Sequence, residues 1–126
     1  NSCFSSAEIS YVPEVAIVYS YAGASGDMIR FINDSDKYHG IVIAGSGAGL
    51  FSTDEKNALV ESVNKGITVV RSSRAGNGRV VDLKTFGDIG FISGDNLLPQ
   101  KARILLMLSL MMKKNRHDIQ NVFNEY

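Results

Sequence analysis

Short apolar runs separated by helical patterns place the strongest constraint on how this chain can fold. Two of them, Val15–Tyr19 and Gly40–Ala44, are apolar at consecutive positions rather than at alternate ones, and a third, Ile67–Val70, is interrupted only by Thr68. This pattern is typical of parallel strands that helices cover on both faces. A fourth run, Ile89–Ser93, follows later in the chain. We therefore predict an α/β fold, a three-layer α/β/α arrangement with a small parallel sheet of about four strands.

The predicted helices have residues that favour their starts or ends. Ser25 is a candidate N-cap before the first helix, and Ser52 with Glu55 forms a capping box before the second. Gly66 is a candidate C′ residue after the second helix, and Pro99 suits the first turn of the third. The residues predicted to face the core are Met28, Ile29, Ile32, Leu59, Val60, Val63, Ile119, Val122, Phe123 and Tyr126.

The third predicted helix, Pro99–Lys114, is apolar on nearly all sides. Between Ile104 and Met112 only Ser109 is polar, whereas a helix with one exposed face carries polar residues at about half of its positions. We therefore expect a second covered face on this helix. Another domain, another subunit or the last helix of this chain could supply the cover, and the flexible methionines of the stretch suit such a contact.

Composition and charge exclude several classes of protein. Thirteen basic residues balance thirteen acidic ones, so we predict neither a nucleic-acid partner nor an anionic membrane partner. The single cysteine, Cys3, excludes an internal disulfide and a cysteine-based zinc site. No apolar run is long enough to cross a bilayer core of ~30 Å, and the start lacks a signal-peptide pattern. Because the chain does not begin with methionine, we expect its natural N-terminus to lie elsewhere.

A glycine turn, Gly45–Gly49, follows the second predicted strand and precedes the second helix. Open α/β sheets bind ligands at this edge, and glycines let the backbone approach a ligand closely. The spacing differs from the dinucleotide-binding fingerprint, because Leu50 follows G-x-G-x-G and Arg71 stands where an acid is expected. The P-loop lysine is also absent. The turn is equally compatible with a tight strand-to-helix connection that binds nothing.

A polar cluster, Arg71–Arg79, follows the third predicted strand and should lie at the same edge of the sheet. Its polar members with long or amide side chains are Arg71, Arg74, Asn77 and Arg79. Arginines of this kind bind carboxylates and other anions, so the cluster indicates an anion site or a subunit contact. A solvated loop with supporting arginines is the alternative interpretation.

Histidine and acid positions give no indication of a metal site or a catalytic triad. His39 should lie at the amino-terminal edge of the sheet and His117 at the start of the last helix, so neither faces the ligand edge. Histidines and acids also do not cluster at metal-ligand spacing. Asp95 and Asn96 follow the fourth predicted strand, where they suit either polar ligands or a helix cap, and we favour the cap.

Five runs of residues, in the order of the family, resemble the carboxy-terminal domain of bacterial-type L-asparaginases. The runs are Val18–Ala24, Gly40–Gly49, Val69–Gly78, Pro99–Leu108 and Ile119–Tyr126. By this resemblance, residues 1–12 would be a lead-in segment or interdomain linker and residues 13–126 the asparaginase C-terminal domain, ending at the natural C-terminus. The likeness to the usually exported type II enzymes favours a periplasmic or secreted location, with the cytoplasm as the alternative.

The resemblance also places the catalytic machinery outside this chain. In the family, a threonine in the larger amino-terminal domain attacks the side-chain amide of L-asparagine, and water then releases aspartate from the acyl-enzyme. The threonines here, Thr53, Thr68 and Thr85, lie in neither of the family's threonine motifs. We therefore expect the isolated chain to be inactive.

Two loops of such a domain reach the active site of a neighbouring subunit in the family. One is the glycine turn, where members place a small polar residue at the position of Leu50; Ser46 or Ser52 could replace it, and Gly47 lies in the same turn. The other loop follows the polar cluster, where many members supply a glutamate. The nearest acid in this chain is Asp82.

The resemblance further implies a partner and an assembly. The domain would work with an amino-terminal asparaginase domain, in a homotetramer of intimate dimers, on L-asparagine with L-glutamine as a further candidate, and without a cofactor or metal. The alternative is a stand-alone module that binds a small carboxylate or an asparaginase; a nucleotide-binding fold fails on the glycine spacing. A stand-alone module should cover the helix at Ile104–Met112 fully, whereas one part of a larger assembly should expose an apolar patch there.

Overall fold

A computed structural model describes residues 13–20, 25–45, 52–73, 89–94, 97–112 and 115–125. Within these residues, parallel strands form one four-stranded sheet in the order β1-β2-β3-β4. The strands are β1 Glu14–Tyr19, β2 Tyr38–Gly45, β3 Thr68–Ser73 and β4 Ile92–Ser93. The helices are α1 Asp27–Ser35, α2 Thr53–Asn64, α3 Pro99–Met111 and α4 Arg116–Glu125. The predicted α/β fold with about four parallel strands is confirmed.

Each face of the sheet has a core of its own. Successive strand residues point to opposite faces, so neighbouring apolar residues enter different cores. One core, beneath α1 and α2, includes Ile29, Ile32, Ile41, Ile43, Leu59 and Val69. The other, beneath α3 and α4, includes Val42, Val70, Ile92, Leu106, Ile119 and Phe123. The sheet therefore forms the middle of three layers, and its strands are apolar at consecutive positions because both faces are covered.

Helix α2 begins and ends as the sequence predicts. The Glu55 N–H donates to Oγ of Ser52 at 3.1 Å, and the Ser52 N–H donates to Oε1 of Glu55 at 3.1 Å, which completes the capping box. At the other end, Gly66 follows the C-cap Lys65 with a φ of 90°. This left-handed conformation favours glycine, and the helix ends there.

The start of α1 differs from the prediction. Gly26, not Ser25, is the N-cap, and Oγ of Ser25 accepts from the Asp27 N–H at 3.2 Å. A Cβ on Gly26 would lie 2.8 Å from the Asp54 carbonyl oxygen, so the close approach of α2 requires glycine here. Met28 is also 62% exposed, although Ile29 and Ile32 are buried as predicted. Adjacent helical residues point about 100° apart, and Met28 falls off the apolar stripe.

Strand β3 is longer and β4 is shorter than the sequence indicates. Arg71–Ser73 continue β3, with Arg71 opposite Ile43 and Ser73 opposite Gly45 of β2. The prediction that the third strand ends before Arg71 is therefore wrong, because backbone pairing with β2 holds these polar residues in the sheet. Strand β4 contains only Ile92–Ser93, whereas the run was predicted to begin at Ile89, which has helical backbone.

Helix α3 starts at Pro99, as predicted, and buries one side against the sheet. The buried residues on that side are Pro99, Ala102, Leu106 and Ser109. On its outer side Ile104 is 56% exposed and lines a groove of about 240 Å³, together with Leu97, Lys101, Leu105 and Leu108. Helix α4 buries Ile119 and Phe123, which confirms its predicted face, but does not cover Ile104. Helix α3 ends at Met111, with Met112 as its C-cap, which is three residues before the predicted end at Lys114. The predicted core position Tyr126 lies outside the described residues.

Across the ranges that the structure describes, none of the helices combines the length and the apolar character that spanning a membrane requires.

Candidate functional site

The candidate site lies at the edge where the parallel strands end. Strands β1, β2 and β3 end there at Tyr19, Gly45 and Ser73. The Ser20 N–H donates to the Ala44 carbonyl oxygen at 2.9 Å, so pairing with β2 continues one residue beyond β1. Parallel α/β sheets bind their ligands outside this carboxyl edge, and the segments that follow these strands are therefore the candidates for function.

Glu55 brings a buried carboxylate to this edge, in the first turn of α2. Its side chain is 1% exposed, and Oε1 accepts from Oγ of Ser20 at 2.5 Å and from the Ser52 N–H at 3.1 Å. A buried carboxylate is costly unless donors replace the water it has lost, and these two donors do so. Glu55 thereby joins the end of β1 to the start of α2.

Asp54, the residue before Glu55, contacts the start of α1 instead. Its Oδ2 accepts from the Gly26 N–H at 2.6 Å, and Nη2 of Arg30 donates to Oδ1 at 2.8 Å. The hydrogen bond from Arg30, followed by that from Gly26, lowers the pKa of Asp54 from 3.8 to about 2. The same bond raises the pKa of Arg30. Asp54 is therefore ionised at neutral pH, and two consecutive acids of α2 hold two different segments.

Arg71 is a buried cation in β3. Its side chain is 1% exposed, and its carbonyl oxygen accepts from the Gly94 N–H at 2.7 Å. Arg71 follows Val69 by two residues and so lies on the face that α1 and α2 cover, the face on which Glu55 also lies. A guanidinium removed from water needs compensating interactions inside the protein. The interpretation of a solvated loop is wrong for Arg71.

Most of the predicted site residues lie outside the described residues. Those at the candidate contacts with a neighbouring subunit are Ser46, Gly47, Leu50 and Asp82. The others are Arg74, Asn77, Arg79, Thr85, Asp95 and Asn96. Ser52 is described, and it is the N-cap of α2, bound to Glu55 on both its backbone and its side chain. Its contact with a neighbouring subunit stays a prediction.

The described histidines and threonines do not lie together as a catalytic group. His39 is exposed near the amino-terminal end of β2, and His117 is exposed in the first turn of α4. Thr53 begins α2 and Thr68 begins β3, so Thr68 lies at the opposite end of the sheet from Glu55. In the described part of the chain, no three side chains among His, Cys, Asp and Glu are grouped closely enough to hold a metal ion.

Sequence reasoning identified Glu55 only as half of a capping box. That contact with Ser52 has a local signature, because the two residues are three apart. The contact with Ser20 spans 35 residues and depends on how the start of α2 packs against the end of β1. No local pattern could have indicated it.

Residues 14–123 match the Glutaminase/Asparaginase C-terminal domain family. The chain belongs to this family. The asparaginase C-terminal domain is 38% identical to L-asparaginase 2 of Bacillus subtilis over 123 residues, which cover 98% of the chain and 32% of that protein. It is also 38% identical to L-asparaginase 2 of Escherichia coli over 125 residues, with 98% and 36% covered.

A solved structure supports the same relationship. The asparaginase C-terminal domain matches the probable cytoplasmic L-asparaginase from Campylobacter jejuni with a TM-score of 0.87 and 39% identity. The match covers 94% of this chain and 39% of that one. The asparaginase C-terminal domain spans about a third of the length of the curated relatives it matches. The relatives named here are L-asparaginases and therefore hydrolases. The predicted resemblance to the family is confirmed.

Proposed function

We propose that the domain acts as the C-terminal part of an L-asparaginase, an amidohydrolase that converts L-asparagine to L-aspartate and ammonia. The observation that carries the proposal is the family match over residues 14–123, together with 38% identity to two curated enzymes named L-asparaginase 2. The domain works with an amino-terminal asparaginase domain and in an oligomer, a tetramer by family resemblance. It requires no cofactor.

The domain borders the active site of a neighbouring subunit through two loops. The candidate residues are Ser46, Gly47, Leu50, Ser52 and Asp82. Two facts support this placement: the glycine turn follows directly after β2, and β2 ends at the edge where parallel α/β sheets bind ligands. The described groups at this edge, among them the buried Glu55, form a scaffold that can hold such loops in place.

The isolated chain has no amidase activity in this proposal. Covalent hydrolysis of an amide needs a nucleophile, a base and a group that orients them. Thr53 and Thr68 occupy an exposed helix start and the amino-terminal end of a strand, respectively. Neither described position combines a threonine with the partners that would activate it.

The outer face of α3 favours the interpretation that this domain is one part of a larger assembly over the interpretation that it is a stand-alone module. A stand-alone module should cover this helix, but Ile104 is 56% exposed beside an apolar groove. An exposed apolar side chain beside an apolar groove suits contact with other protein. The alternative module therefore has no described feature in its favour.

Ammonia release from L-asparagine tests the proposal directly. The purified 126-residue chain would be assayed alone, and then mixed with a separately produced amino-terminal asparaginase domain. We expect no activity alone and activity on mixing, with the amino-terminal domain by itself as the control. Activity of the chain alone would contradict its proposed inactivity, and Thr53→Ala, Thr68→Ala and Thr85→Ala would then locate the nucleophile. An inactive mixture would contradict the role as half of an enzyme.

A further inference from the structure

We propose that the cavity between the outer edge of β1 and helix α1 binds a small amphipathic amine, with its ammonium group at Glu55 and its apolar body between the strand and the helix. The cavity has a volume of about 430 Å³, which lies in the range of small-molecule sites. Residues of β1 and α1 line most of it. A site of this kind suits an enzyme subunit as well as a stand-alone module, so the proposal does not depend on the proposed function.

One carboxylate oxygen of Glu55 provides the charged end of the site. Ser20 and Ser52 both donate to Oε1, whereas Oε2 accepts no hydrogen bond from any residue in the described ranges. The Glu55 side chain is nevertheless 1% exposed, and it lines the cavity. A carboxylate has about four positions that accept a hydrogen bond, and burial deprives it of the water that would otherwise fill them. Oε2 therefore favours a ligand that brings an N–H donor.

The cations of the described chain are engaged elsewhere. Arg30 pairs with other acids of α1 and α2, Asp54 among them, and Lys65 pairs with Asp36 after the end of α1. Arg71 lies in β3, which β2 separates from β1. None of the ion pairs between described residues includes Glu55. A bound ammonium group would thus give this buried carboxylate a partner of opposite charge, which compensates for the loss of water.

Apolar side chains form the other walls of the cavity. Ala16 and Val18 face it from β1, and Ile32 of α1 is buried beside them. Met28 and Phe31 of α1 also line the cavity, and both are exposed. Because β1 is the terminal strand of the sheet, no described strand covers this edge. An alkyl body placed here is removed from water together with Met28 and Phe31, which favours binding.

Three ligands with the same apolar body test the charge that the site prefers. The amide NMR signals of the 126-residue chain would be followed during titration with hexylamine, 1-hexanol or hexanoate at neutral pH. We expect hexylamine to shift the signals of Ile17, Val18 and Phe31. It should bind about tenfold more tightly than 1-hexanol, because a hydrogen bond between charged groups is about twice as strong as a neutral one. Hexanoate should not bind. Equal affinities for hexylamine and 1-hexanol, or shifts confined to other residues, would overturn the proposal.

The length of the alkyl chain tests the apolar walls. Each CH₂ group removed from water is worth about a three- to fourfold change in affinity, so butylamine should bind about tenfold more weakly than hexylamine. Phe31→Ala should weaken hexylamine by about threefold or more, because it removes one wall. Since Phe31 is exposed, we expect this variant to fold. Affinity that does not change with alkyl length would contradict an apolar contact.

Two neighbouring acids of α2 provide a matched pair of variants. Glu55→Gln keeps the size and an acceptor oxygen but removes the charge, and it should weaken hexylamine by about tenfold while 1-hexanol binds as before. Asp54 has its own partners, Gly26 and Arg30, and its side chain contacts water. Asp54→Asn should therefore change the affinity for hexylamine by less than about twofold. Equal losses in both variants would show a general attraction to acidic residues and overturn the site. If Glu55→Gln does not fold, the ligand series on the unaltered chain still decides the proposal.

Discussion

Nη2 of Arg30 lies 2.8 Å from Oδ1 of Asp54, and this ion pair joins the first helix to the first turn of the second. The Gly26 N–H donates to the other carboxylate oxygen at 2.6 Å. Glu55, the next residue, binds Ser20 at the end of β1. The first turn of α2 therefore organises the carboxyl edge of the sheet through two consecutive acids with different partners.

Acid should weaken the domain as Asp54 becomes protonated. The pKa of this carboxyl is about 2 in the folded chain against an ordinary value of 3.8. A pKa lowered by folding adds stability that is fully present above the ordinary value and is lost as pH falls toward the folded value. We expect the Tm, followed by circular dichroism, to fall between about pH 4 and pH 2, and Asp54→Asn to reduce that fall.

The control for this prediction is another acid beside Arg30. Asp27 is largely exposed and lies 3.5 Å from Nη1 of Arg30, so its bond is long and screened by water. Asp27→Asn should leave the dependence of Tm on pH unchanged. If Tm depended on pH in Asp54→Asn just as it does in the unaltered chain, the ion pair would not couple stability to pH.

Ser62 and Asn33 form a buried polar pair between α2 and α1. Oγ of Ser62 donates to Oδ1 of Asn33 at 2.6 Å, and Nδ2 of Asn33 donates to the Ala58 carbonyl oxygen at 3.2 Å. Ser62→Ala removes a donor from a buried oxygen, so we expect it to lower the free energy of unfolding in urea by about 1–3 kcal/mol. Asn57→Ala, at an exposed position of the same helix, should change it by less than about 0.5 kcal/mol. Similar values for both variants would contradict the prediction.

Gly94 and Gly40 should differ in how they tolerate alanine. A Cβ on Gly94 would lie 2.6 Å from the Arg71 carbonyl oxygen, which is backbone, whereas a Cβ on Gly40 would lie 2.8 Å from Cδ2 of Leu106, which can move. We expect Gly40→Ala to cost about 1–3 kcal/mol in urea unfolding and Gly94→Ala to cost more. Gly66→Ala, where space is open but φ is 90°, should cost about 1–2 kcal/mol from backbone strain alone. A Gly94→Ala chain as stable as the Gly40→Ala chain would contradict the prediction that alanine costs more at Gly94 than at Gly40.

Two apolar residues on opposite sides of α3 should respond differently to truncation. Leu106 is fully buried against the sheet, whereas Ile104 is exposed beside the outer groove. We expect Leu106→Ala to lower the free energy of unfolding by about 2–5 kcal/mol, from the lost burial and the cavity left behind. Ile104→Ala should cost less than about 0.5 kcal/mol in a dilute monomer. A comparable cost at both positions would mean that other protein covers Ile104 in solution.

The capping box and the glycine after α2 show which parts of the candidate site the sequence can predict. Ser52 and Glu55 are three residues apart, and Gly66 follows its helix directly, so their signals are contained in one short segment. Beyond Gly45, the glycine turn predicted after β2 lies outside the described residues and stays a prediction. The sequence places Arg71 after the third strand because arginine and serine carry no strand signal, yet β2 pairs with this segment and holds it in the sheet.

The sequence by itself determined the order of strands and helices, the parallel sheet covered on both faces, the boundaries of α2 and membership of the asparaginase family. These features depend on periodicity, on caps and on runs of residues that one segment contains. Only the tertiary structure decided that Arg71 and Glu55 are buried, that Glu55 binds Ser20 across 35 residues, and that Ile104 is exposed. The physical reason is that burial and long-range hydrogen bonds depend on how α2 and α3 pack against the sheet, and packing is set by all the contacting surfaces together.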